Sequence, residues 1–573
     1  MRYISGFPLI LRAPELVSFP LLQHLCNMAD LQDDIDSSSI KSKPDDSRPP
    51  SGYITPSGPD NRESRLSQNP FRYSAATTTA AVETPAGEEK QSLDIPPVPP
   101  LPQDEPTNLV EFDGPNDPEN PQNWPLARKW RITMITGCQT FVVSLGSSIF
   151  STATTVTAEE FGKSEELMIL GVTLYVLGFA CGPLIWGPLS ELYGRRNPLM
   201  IGLFGFIIFQ IPVAVAPNVA TIFVCRFLAA GFGSAPLAIV AGMYVDFWDP
   251  VMRAIATMGY AAAVFAGPAC GPIIGEFTVK NASLGWRWTA WFTMIMGAFF
   301  FVIGLFIIPE TLPSILLRKK AARLRLETKN WALHTKADEE PVHMSYLLNK
   351  FGLKPIRMII SEPILIVMTI YISVVYGILY LIFFAYPISF QYDRGWAFGV
   401  SSLPFIAIFI GVLVACGYMA WETKVIFAPK LAKAKKPIPE ERLPPMMVGS
   451  VILVVGLFWF AWTSNRNINA WPQIISGVFV GCGIILVFIP AVIYLVDCYL
   501  FDANSALAAN AFVRSFIAAA FPLFATAMYT NLGVAWATSI LGFICVALMP
   551  APFLFYKYGK AIRGWSKFAY ELG

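Results

Sequence analysis

Twelve apolar runs of about 20 residues, parted by short polar breaks, fill the chain from Arg131 onward. As a helix rising 1.5 Å per residue, a run of that length covers the ~30 Å of a hydrocarbon core, where only helices and closed barrels satisfy their own backbone. The runs lie near 132–151, 167–189, 197–216, 221–243, 254–277, 288–309, 364–388, 399–420, 445–463, 472–496, 508–530 and 533–556. The expected fold class is therefore all-α integral membrane, twelve transmembrane helices. Composition agrees, since 54% of the 573 residues are hydrophobic and only 14% are charged. Net charge is +2, so no basic field points to nucleic acid.

A polar stretch near 310–363 parts the spans six and six. The domains expected are a disordered cytoplasmic tail over 1–127, a six-helix half over 128–309, a central loop over 310–363, a second half over 364–556 and a tail over 557–573. The first tail is rich in Pro, Ser, Thr, Asp and Glu, and Arg12, Pro14 and Glu15 interrupt any signal-peptide core, so Met28 is as good a start as Met1. The central loop opens with the basic amphipathic stretch Leu316–Arg325, which suits a membrane surface or an ordinary linker helix. With both termini in the cytoplasm, 26 Lys and Arg from Arg128 onward fall on the inner side and five on the outer, as the positive-inside rule requires. Asn281-Ala282-Ser283 then forms an outer sequon hard against the membrane.

Chemistry is sparse. Seven of the nine cysteines lie inside apolar runs with no CxxC pair, so neither disulfides nor a metal is expected. The three histidines lie outside the runs, which removes a histidine relay within the membrane. No P-loop pattern is present, so no ATP or other cofactor is expected to drive the chain.

Four constellations stand out. Gly187-Pro188-Leu189-Ser190-Glu191-Leu192-Tyr193-Gly194-Arg195-Arg196 is a tight turn after the second span, with one acid facing two arginines. It resembles the signature loop of the major facilitator superfamily, with Glu191 where Asp is more usual. Arg226 lies about five residues inside the fourth span, where a charge is costly and marks either a functional site or a strut bonded to backbone carbonyls. Its surroundings look like the superfamily's fourth-helix motif, whose arginine is associated with proton coupling. In the fifth span Gly267-Pro268 and Gly271-Pro272 bend the helix, while Gly267, Gly271 and Gly275 make one smooth face. The pattern is similar to the antiporter motif of the superfamily, with Glu276 where a further Gly is usual. Tyr376 and Tyr380 share a face of the seventh span, either as packing or as a cavity wall. Asn510 and Arg514, one turn apart near the start of the eleventh span, and Gln139 in the first complete the candidate cavity residues.

From Asp117 to the end, the chain resembles the fungal branch of twelve-span drug:proton antiporters. Pro309-Glu310-Thr311, Ser361-Glu362-Pro363 and Gly285-Trp286-Arg287-Trp288 add to that likeness. The resemblance implies the major facilitator fold and a charge network of Asp246 with Glu191, Arg195 and Arg196. It also implies proton-driven export of small hydrophobic or amphipathic compounds by a monomer in the plasma membrane. Facilitated diffusion or proton-coupled uptake of a nutrient, and a non-transporting sensor, are the alternatives. No acid lies mid-span, and the nearest proton carriers are Glu191, Asp246, Glu276 and Asp497.

Overall fold

The computed structural model describes residues 108–114, 116–339, 352–434 and 438–569. Both candidate starts, most of the first tail, part of the central loop, Lys435, Lys436 and the last four residues lie outside these. Eleven continuous helical stretches among the described residues are long and apolar enough to cross a membrane. The last, Ala503–Arg563, would be ~90 Å as one helix, three hydrocarbon cores long. Gly533 breaks it at φ +73°, and the two sides are separate passes. The twelve spans are α1 (Leu126–Ser148), α2 (Glu165–Leu192), α3 (Arg196–Ala214), α4 (Val219–Phe247), α5 (Pro250–Lys280) and α6 (Arg287–Ile307). In the second half they are α7 (Pro363–Tyr386), α8 (Phe405–Glu422), α9 (Pro444–Trp462), α10 (Ala470–Tyr499), α11 (503–532) and α12 (534–548, continued by Pro550–Arg563).

Polar breaks start these helices by capping orphan amides. Ser164 accepts from the Leu167 amide ahead of α2, Asn218 from Thr221 in α4, Asp249 from Val251 and Met252 in α5, and Asn469 from Trp471 in α10.

The halves repeat one packing plan. In the first, α1 packs on α5, α2 on α4 and α3 on α6; in the second, α7 packs on α11, α8 on α10 and α9 on α12. Across the divide α2 meets α11, and α5 meets α8. Burial separates central from peripheral helices: 78% of the most apolar stretch of α1 and of α7 is buried, against 22% in α6. On α6, Phe299, Val302 and Phe306 turn outward, as a lipid-facing helix requires.

Two stretches assigned to tails by composition are folded where described. Residues 108–114 and 116–124 pack on the linker helix Pro313–Thr328. There the Lys320 ammonium lies 3.1 Å from Asp117 and 2.8 Å from Asp113, and Arg323 lies 2.8 Å from Glu119. Leu109 bridges His334. Asp117 is buried and accepts the Asp113 and Glu119 amides, which with Lys320 hold its carboxyl below the usual aspartate range. At the other terminus the Lys567 and Phe568 amides bond the fully buried Glu362 carboxylate. Low hydropathy indicates disorder only when no acceptor elsewhere satisfies the backbone, and here carboxylates do so.

Candidate functional site

A cavity of about 290 Å³ lies between the halves, walled by α2, α4 and α5 on one side and α7, α10 and α11 on the other. Its lining is mostly apolar and aromatic: Phe179, Leu237, Tyr260, Val264, Phe265, Tyr376, Phe488 and Ile489. Asn510 and Arg514 supply the deep polar groups. A few convergent polar groups in an apolar concavity are the usual make-up of a small-molecule site. The cavity runs to the end of the bundle that carries Glu191 and Arg195, called here the turn end.

The opposite end is shut by contacts between the halves. Phe265 of α5 meets Phe488 of α10 edge-on at 4.9 Å and Tyr376 of α7 edge-on at 6.4 Å. Beyond this layer the Tyr380 hydroxyl donates to Ser147 Oγ of α1 at 3.4 Å. Nearer the outside, the buried Glu276 carboxylate of α5 accepts from the Gly399 amide at 3.0 Å and Ser401 Oγ at 2.9 Å, both between α7 and α8. Glu276 is therefore part of a seam between the halves, not a solvated interface residue.

At the turn end the sequence motif becomes a charge cluster. Arg195 Nε lies 3.3 Å from Asp246 at the end of α4, and its Nη1 donates to Ser190 Oγ at 2.9 Å. Asp246 also accepts from Thr311 Oγ1 at 3.1 Å. Beneath sits Glu310, which accepts the backbone amides of Arg195, Arg196, Thr311 and Leu312 at 2.8 to 3.2 Å. Gly194, at φ +89°, turns the chain so that those amides point at Glu310, and a Cβ there would strike the carboxylate. Arg196 donates to the Leu305 carbonyl at 2.8 Å. Glu191 lies at the cavity mouth, accepting from Asn504 of α11 at 3.1 Å across the divide. Asp497 pairs in the second half with Arg442 at 3.1 Å.

Other candidates are redistributed. Arg226 is buried away from the cavity, donating to the Gly171 carbonyl at 2.9 Å and the Gly146 carbonyl at 3.2 Å, with its guanidinium over Phe150 and Tyr175. This is the strut geometry, linking α4 to α2 and α1. Gln139 faces α6, donating to the Phe300 carbonyl at 3.1 Å, and is not part of the cavity wall. Tyr376 lines the wall, whereas Tyr380 sits one layer behind it in the seal.

The glycines of α5 meet the backbone of α1 and of Ile149 just after it. A Cβ at Gly267 would approach Leu145 N and Phe141 O at 2.7 Å, at Gly271 Ile149 N at 2.9 Å, and at Gly275 Ile149 O at 2.8 Å. Pro268 and Pro272 lie within this helix without breaking it. Sequence reasoning missed Glu310 and Glu362 as amide acceptors; each stood beside a proline within a motif quoted only for its likeness.

A family model described as Major Facilitator Superfamily matches residues 136–522. A transporter of the citrinin biosynthesis cluster from Monascus ruber is 50% identical over 490 residues, 85% of this chain and 95% of its own length. One of the ascochitine biosynthesis cluster from Didymella fabae is 48% identical over 81% of this chain and 90% of its own. A cercosporin transporter of Cercospora nicotianae is 44% identical over 80% and 89%. Among solved structures, a proton:xylose symporter aligns with a TM-score of 0.55 at 14% identity, over 76% of this chain and 96% of that one, a likeness of fold alone.

Proposed function

The chain belongs to the major facilitator superfamily, and from that premise we propose that it exports a small hydrophobic or amphipathic secondary metabolite by proton antiport. The observation that carries this reading is the cavity between two similarly packed halves, reaching the turn end and sealed at the other. Assigned to the cytoplasmic side by the distribution of Lys and Arg, the turn end receives the compound from within the cell. Rocking of the halves then parts the Tyr380–Ser147 and Glu276–Ser401 contacts and closes the mouth around Glu191 and Asn504. The metabolite-cluster relatives support export over uptake.

Coupling falls to acids at the ends. Glu276 is within reach of the outside once the seal parts, and protonating it removes the charge that Gly399 and Ser401 stabilise. Asp246 and Asp497, each held by an arginine, do the corresponding work at the turn end. Arg226 acts through α1, α2 and α4, whose relative placement it fixes.

The test is retention of Nile red by yeast cells expressing the chain, with and without a protonophore. Retention below that of control cells, restored by the protonophore, is the expected result. Export that ignores the protonophore overturns antiport, and retention equal to control cells overturns export. Arg226→Ala is expected to abolish transport while the protein still reaches the cell surface.

A further inference from the structure

The deep part of the cavity contains a cation without an anion. Three charged residues line the cavity, and two of them, Glu191 and Arg195, belong to the mouth. Arg514 lies ten residues beyond the mouth residue Asn504 on α11, ~15 Å deeper. A guanidinium stays charged in any protein environment, and a charge removed from water needs a counter-charge or a full set of acceptors.

Arg514 has neither. One Nη1 proton goes to Asn510 Oδ1 at 3.2 Å, and Asn510 is itself fixed by donating to Thr369 Oγ1 at 3.0 Å. The Nε proton is enclosed with no acceptor. Tyr376 and Phe488 present ring faces to the guanidinium at 5.1 and 4.7 Å. Those faces offset part of the charge and provide no lone pair. Arg226, buried within α4, also has no carboxylate partner among the described residues, yet two backbone carbonyls accept from it and it does not line this cavity. The contrast separates a strut from a group left waiting for a ligand.

We propose that the exported compound is an organic anion: a flat aromatic or conjugated ring bearing a carboxylate or an equally acidic oxygen that docks on Arg514. The ring lies among Phe265, Tyr376 and Phe488, and the acid accepts from the guanidinium donors that Asn510 leaves unused. This rests on the cavity being the export site.

Binding read without transport tests it separately from export. Full-length protein purified in detergent at pH 7.5 is equilibrated with tritium-labelled 2-naphthoate and competed with unlabelled 2-naphthoate, 2-naphthamide and 2-naphthylmethylammonium. The anion is expected to bind about tenfold more tightly than the neutral amide, with the cation weakest. Arg514→Gln should remove that preference while shifting the amide less than about threefold, and Arg514→Lys should restore part of it. Asn510→Ala, a smaller change should the glutamine variant not fold, should weaken only the anion, by about threefold. Equal affinity for anion and amide, the same preference in Arg514→Gln, or no binding of any of the three overturns the proposal. Anion selectivity in a chain that exports nothing would sink the export reading and leave Arg514 as the anion site of a cavity that binds without exporting. Export of neutral dye with no anion preference would do the reverse.

Discussion

At the turn end the two halves solve the same problem with different chemistry. Arg195 immediately precedes α3 and pairs with Asp246 near the end of α4; Arg442 lies just before α9 and pairs with Asp497 near the end of α10. The third anchor differs. In the first half Glu310, after α6, holds four backbone amides, whereas in the second Glu440, before α9, pairs at 2.8 Å with the Arg563 side chain at the end of α12. A side chain that loses its partner can swing toward water; an amide in a tight turn cannot. The first cluster should be the stiffer.

The largest expected effect follows from that difference. Glu310→Ala strands four amides and should cost about 3–5 kcal/mol, read as the thermal midpoint of the purified protein, whereas Glu440→Ala should cost about 1–2 kcal/mol. Similar losses at both positions would erase the distinction. Next, double-mutant cycles should give a coupling of about 2 kcal/mol for Arg195 with Asp246 and about 1 kcal/mol for Arg442 with Asp497. The latter pair is somewhat more exposed, and Arg442 also rests on the Phe427 ring at 3.5 Å.

A second pair of equivalent contacts sharpens the comparison. Where α5 meets α1, glycines face backbone; where α11 meets α7, Gly377 faces the Phe521 ring at 2.8 Å from a would-be Cβ. Backbone cannot yield and a ring can turn. Gly271→Val should therefore cost about 3 kcal/mol and Gly377→Ala about 1 kcal/mol, measured by the same melting assay.

The smallest effect concerns the clasp of residues 108–114 and 116–124 on the linker helix, described only in the first half. Because its neighbours depress the Asp117 carboxyl, its contribution is present above the unperturbed value of 3.8 and is lost only as pH falls through the lower folded value. Hydrogen exchange of the linker helix, corrected for intrinsic rates, should be unchanged between pH 7 and 4.5 and should rise severalfold at pH 7 in Asp117→Asn. Faster exchange already at pH 4.5 would place control of the clasp elsewhere.

Much of the architecture was legible. Apolar run length gave the spans, the glycine spacing of α5 gave a smooth packing face though not its partner α1, and the family resemblance implied that Asp246 joins Arg195, which it meets here at 3.3 Å. The site was legible in part. Asn510, Arg514 and Tyr376 line the cavity, but Gln139 faces α6, Tyr380 belongs to the seal, and Glu310 and Glu362 went unrecognised as amide acceptors.

The sequence by itself determined what is set along one chain: how many times it crosses the membrane, where each helix begins, and which faces are smooth. Those follow from hydrocarbon thickness, capping and glycine spacing, which are local quantities. Only the tertiary structure decided which polar group in an apolar helix faces a cavity, a carbonyl of the next helix or a seam between halves. Arg226, inside the fourth span, and Arg514, near the start of the eleventh, were both site candidates, and the carbonyls of Gly146 and Gly171 make the first a strut. Their absence around the other leaves a cation open to a ligand.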